Sequence, residues 1–136
     1  MIRLWLSTCV LAASFGLPAA SMERCSASTR DHCVVDGDTL VLKSRRIRIA
    51  NIDAPELEGA QCEAERRLAV LATRRLTELL DAGPIKVIEG DPASGRVIDR
   101  HGRTLALVEV GGRDIGAALV KGGYARPWVG KRLPWC

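Results

Sequence analysis

The sequence predicts one mainly β, α+β domain in which five strands form a barrel, with one main helix between strands 3 and 4 and a short C-terminal helix. The chain has 136 residues, which suits a single domain. Short segments rich in Val, Ile and Leu alternate with turn residues, which is typical of a β domain. One long amphipathic stretch interrupts them and predicts the main helix.

The first three strands are predicted between residues 33 and 53. A turn at Asp36 and Gly37 separates the apolar residues 33–35 from the apolar residues 40–42. Residues 46–53 then alternate apolar and polar side chains, which indicates a half-buried strand. Pro55 ends this strand because proline has no amide hydrogen to donate to a neighbouring strand.

Residues 63–80 predict the main helix, with Glu63 and Glu65 near its positive end. Its apolar positions are Leu68, Leu71, Ala72, Leu76, Leu79 and Leu80. Residues 85–89 and 103–110 predict two further strands, and residues 113–121 predict the short C-terminal helix. This order of elements is that of an OB-fold barrel, and a mixed α+β sandwich is the alternative.

Residues 1–21 have the pattern of a secretory signal peptide, with a basic start, an apolar run and small residues around Ala20. The alternative is an N-terminal membrane anchor, for which the apolar run is short. We therefore expect a secreted or periplasmic protein whose folded domain covers residues 26–136 and has no stable membrane association after cleavage.

Four cysteines follow the leader, and an even number in a small exported chain predicts two disulfides. They are Cys25, Cys33, Cys62 and Cys136, and three pairings are possible. A zinc site is disfavoured because the chain has no C-x-x-C pair and His32 and His101 are not at ligand spacing.

Three acidic residues are candidates for a site that binds a hard cation. Asp38 follows the turn, Asp53 ends the third strand, and Glu56 lies three residues further on. Calcium prefers carboxylate and carbonyl oxygens, and two short aspartates from separate segments can converge on one ion. The alternative is that these aspartates only cap a turn and a strand end.

Arg48 and Arg103 are candidates for binding phosphate because guanidinium matches phosphate oxygens bidentately. In a regular strand, Arg48 and Asp53 would lie on opposite faces, so a bend near residues 50–51 is needed to bring them together. The alternative for each arginine is a solvated strand position. The net charge of +4 is a weak argument for an anionic partner.

Three motifs together resemble the staphylococcal nuclease (thermonuclease) family. They are VDGDTL at 35–40, RIRIANIDAPE at 46–56 and DRHGR at 99–103. The resemblance covers about residues 33–128. It implies a calcium-dependent endonuclease that hydrolyses phosphodiester bonds of DNA and RNA and leaves 3′-phosphate ends. We expect single-stranded substrates to be preferred and the protein to be a monomer.

The resemblance also implies roles for individual residues. Asp38 and Asp53 correspond to the calcium carboxylates, and Ala54 corresponds to a residue whose backbone carbonyl binds the metal. Glu56 corresponds to the glutamate that positions or deprotonates the attacking water.

Arg48 and Arg103 correspond to the two arginines that stabilise the transition state. His101 stands where the family has an aromatic residue near the nucleotide, and Trp128 lies where aromatic residues line the base pocket. Both are candidates for nucleic-acid binding, and the alternative is that each has only a packing role.

Two other functions are compatible with a small β domain. A non-catalytic OB-fold module for single-stranded nucleic acid would lack the acids and would expose several aromatic residues. A disulfide-bonded structural or inhibitory domain would leave the acidic and arginine pattern as coincidence.

Overall fold

The computed structural model describes residues 21–136. The predicted signal peptide, apart from Ser21, lies outside the described residues. Within residues 21–136, none of the helices has the length and apolar character that crossing a membrane requires.

The domain is α+β with mostly strands and two helices, as predicted. In chain order the elements are β1 (Glu23–Arg24), β2 (His32–Asp36), β3 (Thr39–Leu42), β4 (Arg45–Ile49), β5 (Ile52–Asp53), α1 (Glu63–Leu80), β6 (Ile85–Glu89), β7 (Thr104–Val110), β8 (Arg113–Asp114), α2 (Ile115–Lys121) and β9 (Arg126–Pro127). The apolar core lies between the main sheet and the two helices, and it includes Leu40, Ile47, Ile49, Leu76 and Leu119.

The main sheet has the strand order β1-β2-β3-β4-β7-β6, with β8 paired to β7. Its five longer strands are antiparallel neighbours except for β4 and β7, which are parallel. This order is consistent with an OB-like fold. The predicted closed barrel of five strands is not confirmed, because the described residues form nine strands in two sheets and the main sheet is open. The edge of β2 that faces away from β3 pairs with β1. The sheet therefore does not close by pairing β2 with β6, the strand at its other end.

The third predicted strand is divided by a turn at Ala50 and Asn51. Asn51 donates a side-chain hydrogen bond to Asp114 at 3.2 Å, and its carbonyl accepts one from the amide of Trp128 at 3.0 Å. These contacts redirect the chain, so that β5 leaves the main sheet and pairs with β9. The bend that the sequence required between Arg48 and Asp53 is therefore present.

Helix α1 has the predicted limits, and the side chain of Cys62 caps its first turn by accepting from the amide of Glu65. The predicted apolar face is correct at Ala72, Leu76, Leu79 and Leu80, which are buried. It is wrong at Leu71, which is 46% exposed. Ala69 and Thr73 lie on the buried face instead. The small side chain of Ala72 allows α1 to pack closely against Gly37 in the turn between β2 and β3.

Two disulfides connect Cys25 to Cys33 and Cys62 to Cys136, which confirms the predicted number and selects one pairing. The second bond joins residues 74 positions apart and fixes the end of the chain to the start of α1. A loop of this length contributes roughly 4 kcal/mol of stability in the chain-entropy treatment.

We expect Gly37→Ala to destabilise the protein, because a Cβ atom at Gly37 would lie 2.7 Å from the Cβ of Ala72 and 2.9 Å from that of Ala54. Overpacking of this kind costs about 1–3 kcal/mol, measurable as a lower urea midpoint. Gly83→Ala is the matched control, since its nearest neighbour, a methyl of Val110, would be 3.5 Å away. Equal midpoints for the two variants would contradict the proposed close packing.

Candidate active site

A cleft of about 910 Å³ runs beside β4 and the C-terminal segment. Five of the predicted site residues line it: Arg48, Glu56, His101, Arg103 and Trp128. Five other basic residues also line it: Arg46, Arg96, Arg100, Lys131 and Arg132. The wall therefore carries an excess of positive charge, which favours an anionic ligand.

The side chain of Arg48 crosses the turn that divides the third strand. Its guanidinium donates to the carbonyls of Ile49 and Ile52, each at 3.1 Å. It also lies 4.9 Å from the centre of the Trp128 ring. Arg48 is buried, so it is both a fixed donor in the cleft wall and a structural support for the turn.

Asp38 joins the turn after β2 to the segment after β5. One carboxylate oxygen accepts from the hydroxyl of Thr39 at 2.9 Å, and the other accepts from the amide of Ala54 at 3.2 Å. The latter oxygen is 3.8 Å from the Arg48 guanidinium. The structure thus brings together Asp38, Arg48 and the chain at residues 53–54, and Asp38 is not among the residues that line the cleft.

Asp53 is only 2% exposed and has arginines on both carboxylate oxygens. Arg126 donates to Oδ2 at 3.1 and 3.3 Å, and Arg132 donates to Oδ1 at 3.1 Å. Arg132 also forms an ion pair with Glu56. Burial alone would lower the pKa of Arg132. The pKa is nevertheless raised, because Glu56 accepts a hydrogen bond from Arg132 and both Glu56 and Asp53 are negatively charged. A single guanidinium therefore connects the two acids.

The loop that carries Glu56 is anchored by Glu65, a buried carboxylate in the first turn of α1. Glu65 accepts from the backbone amides of Glu56 at 3.2 Å and Gln61 at 2.8 Å. The sulfur of Cys136 lies 3.8 Å from the same carboxylate. The loop, the helix start and the end of the chain thus meet at one point.

Arg103, which lines the cleft just before β7, is held by Asp99. The carboxylate of Asp99 accepts from the Arg103 Nε at 2.7 Å, and from the amides of Arg103 at 3.0 Å and His101 at 2.8 Å. Although burial opposes the change, these hydrogen bonds lower the pKa of Asp99. His101 is exposed and accepts from Arg100. The DRHGR segment therefore folds as a turn that presents Arg103 to the cleft.

Comparison with known families agrees with this geometry. A sequence model of the family described as "Staphylococcal nuclease homologue" matches residues 46–132. The chain belongs to this family. Its matched part contains Arg48, Asp53, Glu56 and Arg103, whereas Asp38 precedes it. No curated protein matches the chain significantly.

Several residues of the observed site were not predicted from the sequence. They are Asp36, Glu65, Asp99, Arg126 and Arg132. The pairing of Cys62 with Cys136 would have been a signal for Arg132, since it requires the end of the chain to pass near Glu56.

Asp36 is next to two other acids and is largely shielded from water. Burial, followed by the charges of Asp38 and Glu56, raises its pKa from 3.8 to about 7. Asp36 therefore keeps its proton to a higher pH than an exposed aspartate does, mainly because it is buried.

The residues that the sequence predicts as calcium ligands offer oxygen donors of the kind that calcium prefers, namely the carboxylates of Asp38 and Asp53 and the carbonyl of Ala54. In the part of the chain that the structure describes, however, no three His, Cys, Asp or Glu side chains are arranged to hold a metal ion. In addition, Arg126 and Arg132 take up both oxygens of Asp53. The chemistry of the donors suits a hard cation, and the arginine contacts of Asp53 oppose its binding.

The raised pKa of Asp36 predicts a pH-dependent stability in the presence of a chelator. The folded state binds this proton more tightly than the unfolded state, so the free energy of unfolding falls as the pH rises from about 4 to about 7 and stays low above that. Asp36→Asn removes this loss and stabilises the protein at pH 8 by roughly 1–3 kcal/mol. Urea unfolding at several pH values measures this. A parent profile that is flat between pH 4 and pH 8 would contradict the prediction.

Proposed function

We propose that the protein is an exported, calcium-dependent endonuclease that hydrolyses phosphodiester bonds of DNA and RNA and acts as a monomer with a preference for single strands. The observation that supports this most directly is the common cleft of Arg48, Glu56 and Arg103, with Asp38 and Asp53 immediately behind its wall. Family membership supports nuclease chemistry of this kind.

The two arginines supply fixed positive charge to the cleft wall. Arg48 is oriented by two carbonyls and Arg103 by Asp99, so neither has to reorganise when charge develops on the phosphate. Preorganised donors are worth about 10²–10³-fold in rate at comparable sites.

We assign Glu56 to act on water once Arg132 has released its carboxylate. Its side chain lines the cleft, and its backbone is fixed by Glu65. The Glu56 carboxylate accepts a proton from the attacking water, and the water oxygen forms a new bond to phosphorus. The bond from phosphorus to the 5′ oxygen breaks, and the 5′ oxygen takes up a proton from solvent and leaves as a hydroxyl. A 3′-phosphate end remains. Calcium bound through Asp38, Asp53 and the carbonyl of Ala54 would neutralise phosphate charge.

Two further residues are proposed to contact the nucleotide. His101 is exposed at the cleft mouth, where it can donate to phosphate or stack on a base. The Arg48 guanidinium lies over the ring of Trp128, in a cation–π contact. We therefore assign Trp128 to orienting Arg48 as well as to base stacking.

Export is supported by the two disulfides, because such bonds persist in oxidising compartments. We propose that residues 1–21 are a signal peptide and that residues 26–136 form the secreted or periplasmic domain.

A second candidate function is a non-catalytic module for single-stranded nucleic acid. The engagement of Asp53 and Glu56 by Arg132 favours it, because in this arrangement neither acid is free for a metal or for water. The basic cleft would then bind the phosphate backbone without cutting it.

We expect Glu56→Gln to reduce the rate of cleavage of denatured DNA by about 10²–10⁴-fold, because the amide cannot take the proton of water. Affinity for an uncleaved oligonucleotide should be almost unchanged. Glu58→Gln, an exposed acid in the same loop, is the matched control and should cleave like the parent. Parent protein that binds DNA but does not cut it with calcium present would support the non-catalytic alternative.

Arg103→Ala should lower kcat/KM by about 10²–10³-fold with little change in the urea midpoint, because its side chain bonds only to Asp99 among the described residues. Arg48→Ala should lose activity and also stability, since Arg48 supports the turn between β4 and β5. Rate assays paired with unfolding curves separate the two effects. Full activity in Arg103→Ala would remove this arginine from the proposed site.

A further inference from the structure

Arg132 lies on a C-terminal segment that is fixed on both sides. Arg126, which precedes Arg132, contacts the residues that follow Arg132. The Arg126 guanidinium lies 3.9 Å from the centre of the Trp135 ring and donates to the carbonyls of Leu133 and Pro134. After Arg132, Cys136 is bonded to Cys62 at the start of α1. The contacts of Arg132 with the acids are therefore a built feature of the tail.

The guanidinium of Arg132 contacts both Asp53, a proposed calcium ligand, and Glu56, the proposed general base. It bonds to Asp53 Oδ1 at 3.1 Å and forms an ion pair with Glu56. A divalent ion on the same oxygens would face a positive charge at very short range, so the ion and the guanidinium cannot both occupy them.

Arg132, rather than Arg126, is the residue that can move. The side chain of Arg132 is 44% exposed and lines the open cleft, so it has space to enter. Arg126 is less exposed, and its stacking and carbonyl contacts hold it in place.

We propose that Arg132 is an internal counter-cation that a divalent ion must displace from Asp53 and Glu56. The tail that carries Arg132, and the disulfide that anchors this tail, then set the affinity of the site for calcium. This inference rests on the proposed calcium-dependent function.

The direct test is calcium titration by calorimetry of the purified, oxidised protein without nucleic acid. Arg132→Gln removes the competing charge and should bind calcium about tenfold more tightly than the parent. Lys131→Gln is the matched control, because it removes the same charge from the adjacent residue, which forms no salt bridge within residues 21–136. The control should bind calcium like the parent.

The disulfide provides an independent arm. In a Cys62→Ser, Cys136→Ser variant the tail is released, while the hydroxyl that replaces the sulfur of Cys62 keeps an acceptor at the start of α1. Calcium affinity should rise as in Arg132→Gln, and adding Arg132→Gln to this variant should give little further gain.

Equal or weaker calcium binding by Arg132→Gln would overturn the inference, because Arg132 would then support the acids or have no part in binding. Absence of calcium binding in parent and variants alike would overturn the calcium assignment and this inference with it. Thermal unfolding in chelator checks that each variant folds. If Arg132→Gln does not fold, Arg132→Ala replaces it with the same expected gain in affinity, and an unchanged affinity would again overturn the inference.

Discussion

The guanidinium of Arg48 bonds to carbonyls on both sides of the turn between β4 and β5, and the geometry of the site depends on this contact. A continuous strand would place Arg48 and Asp53 on opposite faces. The turn brings the chain at Ala54 under Asp38, whose carboxylate accepts its amide. Because the same guanidinium also faces the cleft, the residue proposed to bind phosphate stabilises the bend that assembles its own surroundings.

Charge balance is the second constraint on this region. Four carboxylates, those of Asp36, Asp38, Asp53 and Glu56, lie close together, and burying them is costly unless cations or hydrogen bonds compensate. Arginines from the strand and from the tail provide that compensation at Asp38, Asp53 and Glu56. The pKa of Asp36 is raised mainly by its burial and then by the charges of Asp38 and Glu56. The ion pairs of the arginines therefore offset part of the cost of holding these acids together in the fold.

The helix α1 and the strands β6 and β7 could be predicted because the spacing of apolar residues within each segment is enough to indicate it. The periodicity of residues 63–80 gave both ends of α1, and the alternation of apolar residues gave β6 and β7 closely. The motifs also led to Arg48, Glu56, His101, Arg103 and Trp128, which share one cleft. Sequence separation explains what was missed: Arg126 and Arg132 meet Asp53 across 73 and 79 positions, and nothing near them in the sequence indicates an acidic partner. The pairing of β1 with β2 was missed for a different reason, since β1 has only two residues and is too short to show an alternating pattern.

The disulfide between Cys62 and Cys136 makes the contacts of the site depend on the redox conditions around the protein. Cys62 begins α1, Glu65 in the next turn holds the backbone of Glu56, and Cys136 ends the tail that carries Arg132. Both contacts of Glu56, one to its backbone and one to its side chain, therefore originate within a few residues of the same bond. In a reducing compartment the tail would lose this anchor, and Arg132 would hold Asp53 and Glu56 only through its own ion pairs and the contacts of Arg126. An oxidising compartment thus does more than stabilise the fold, because it determines how firmly the acids are paired before a metal or a phosphate arrives.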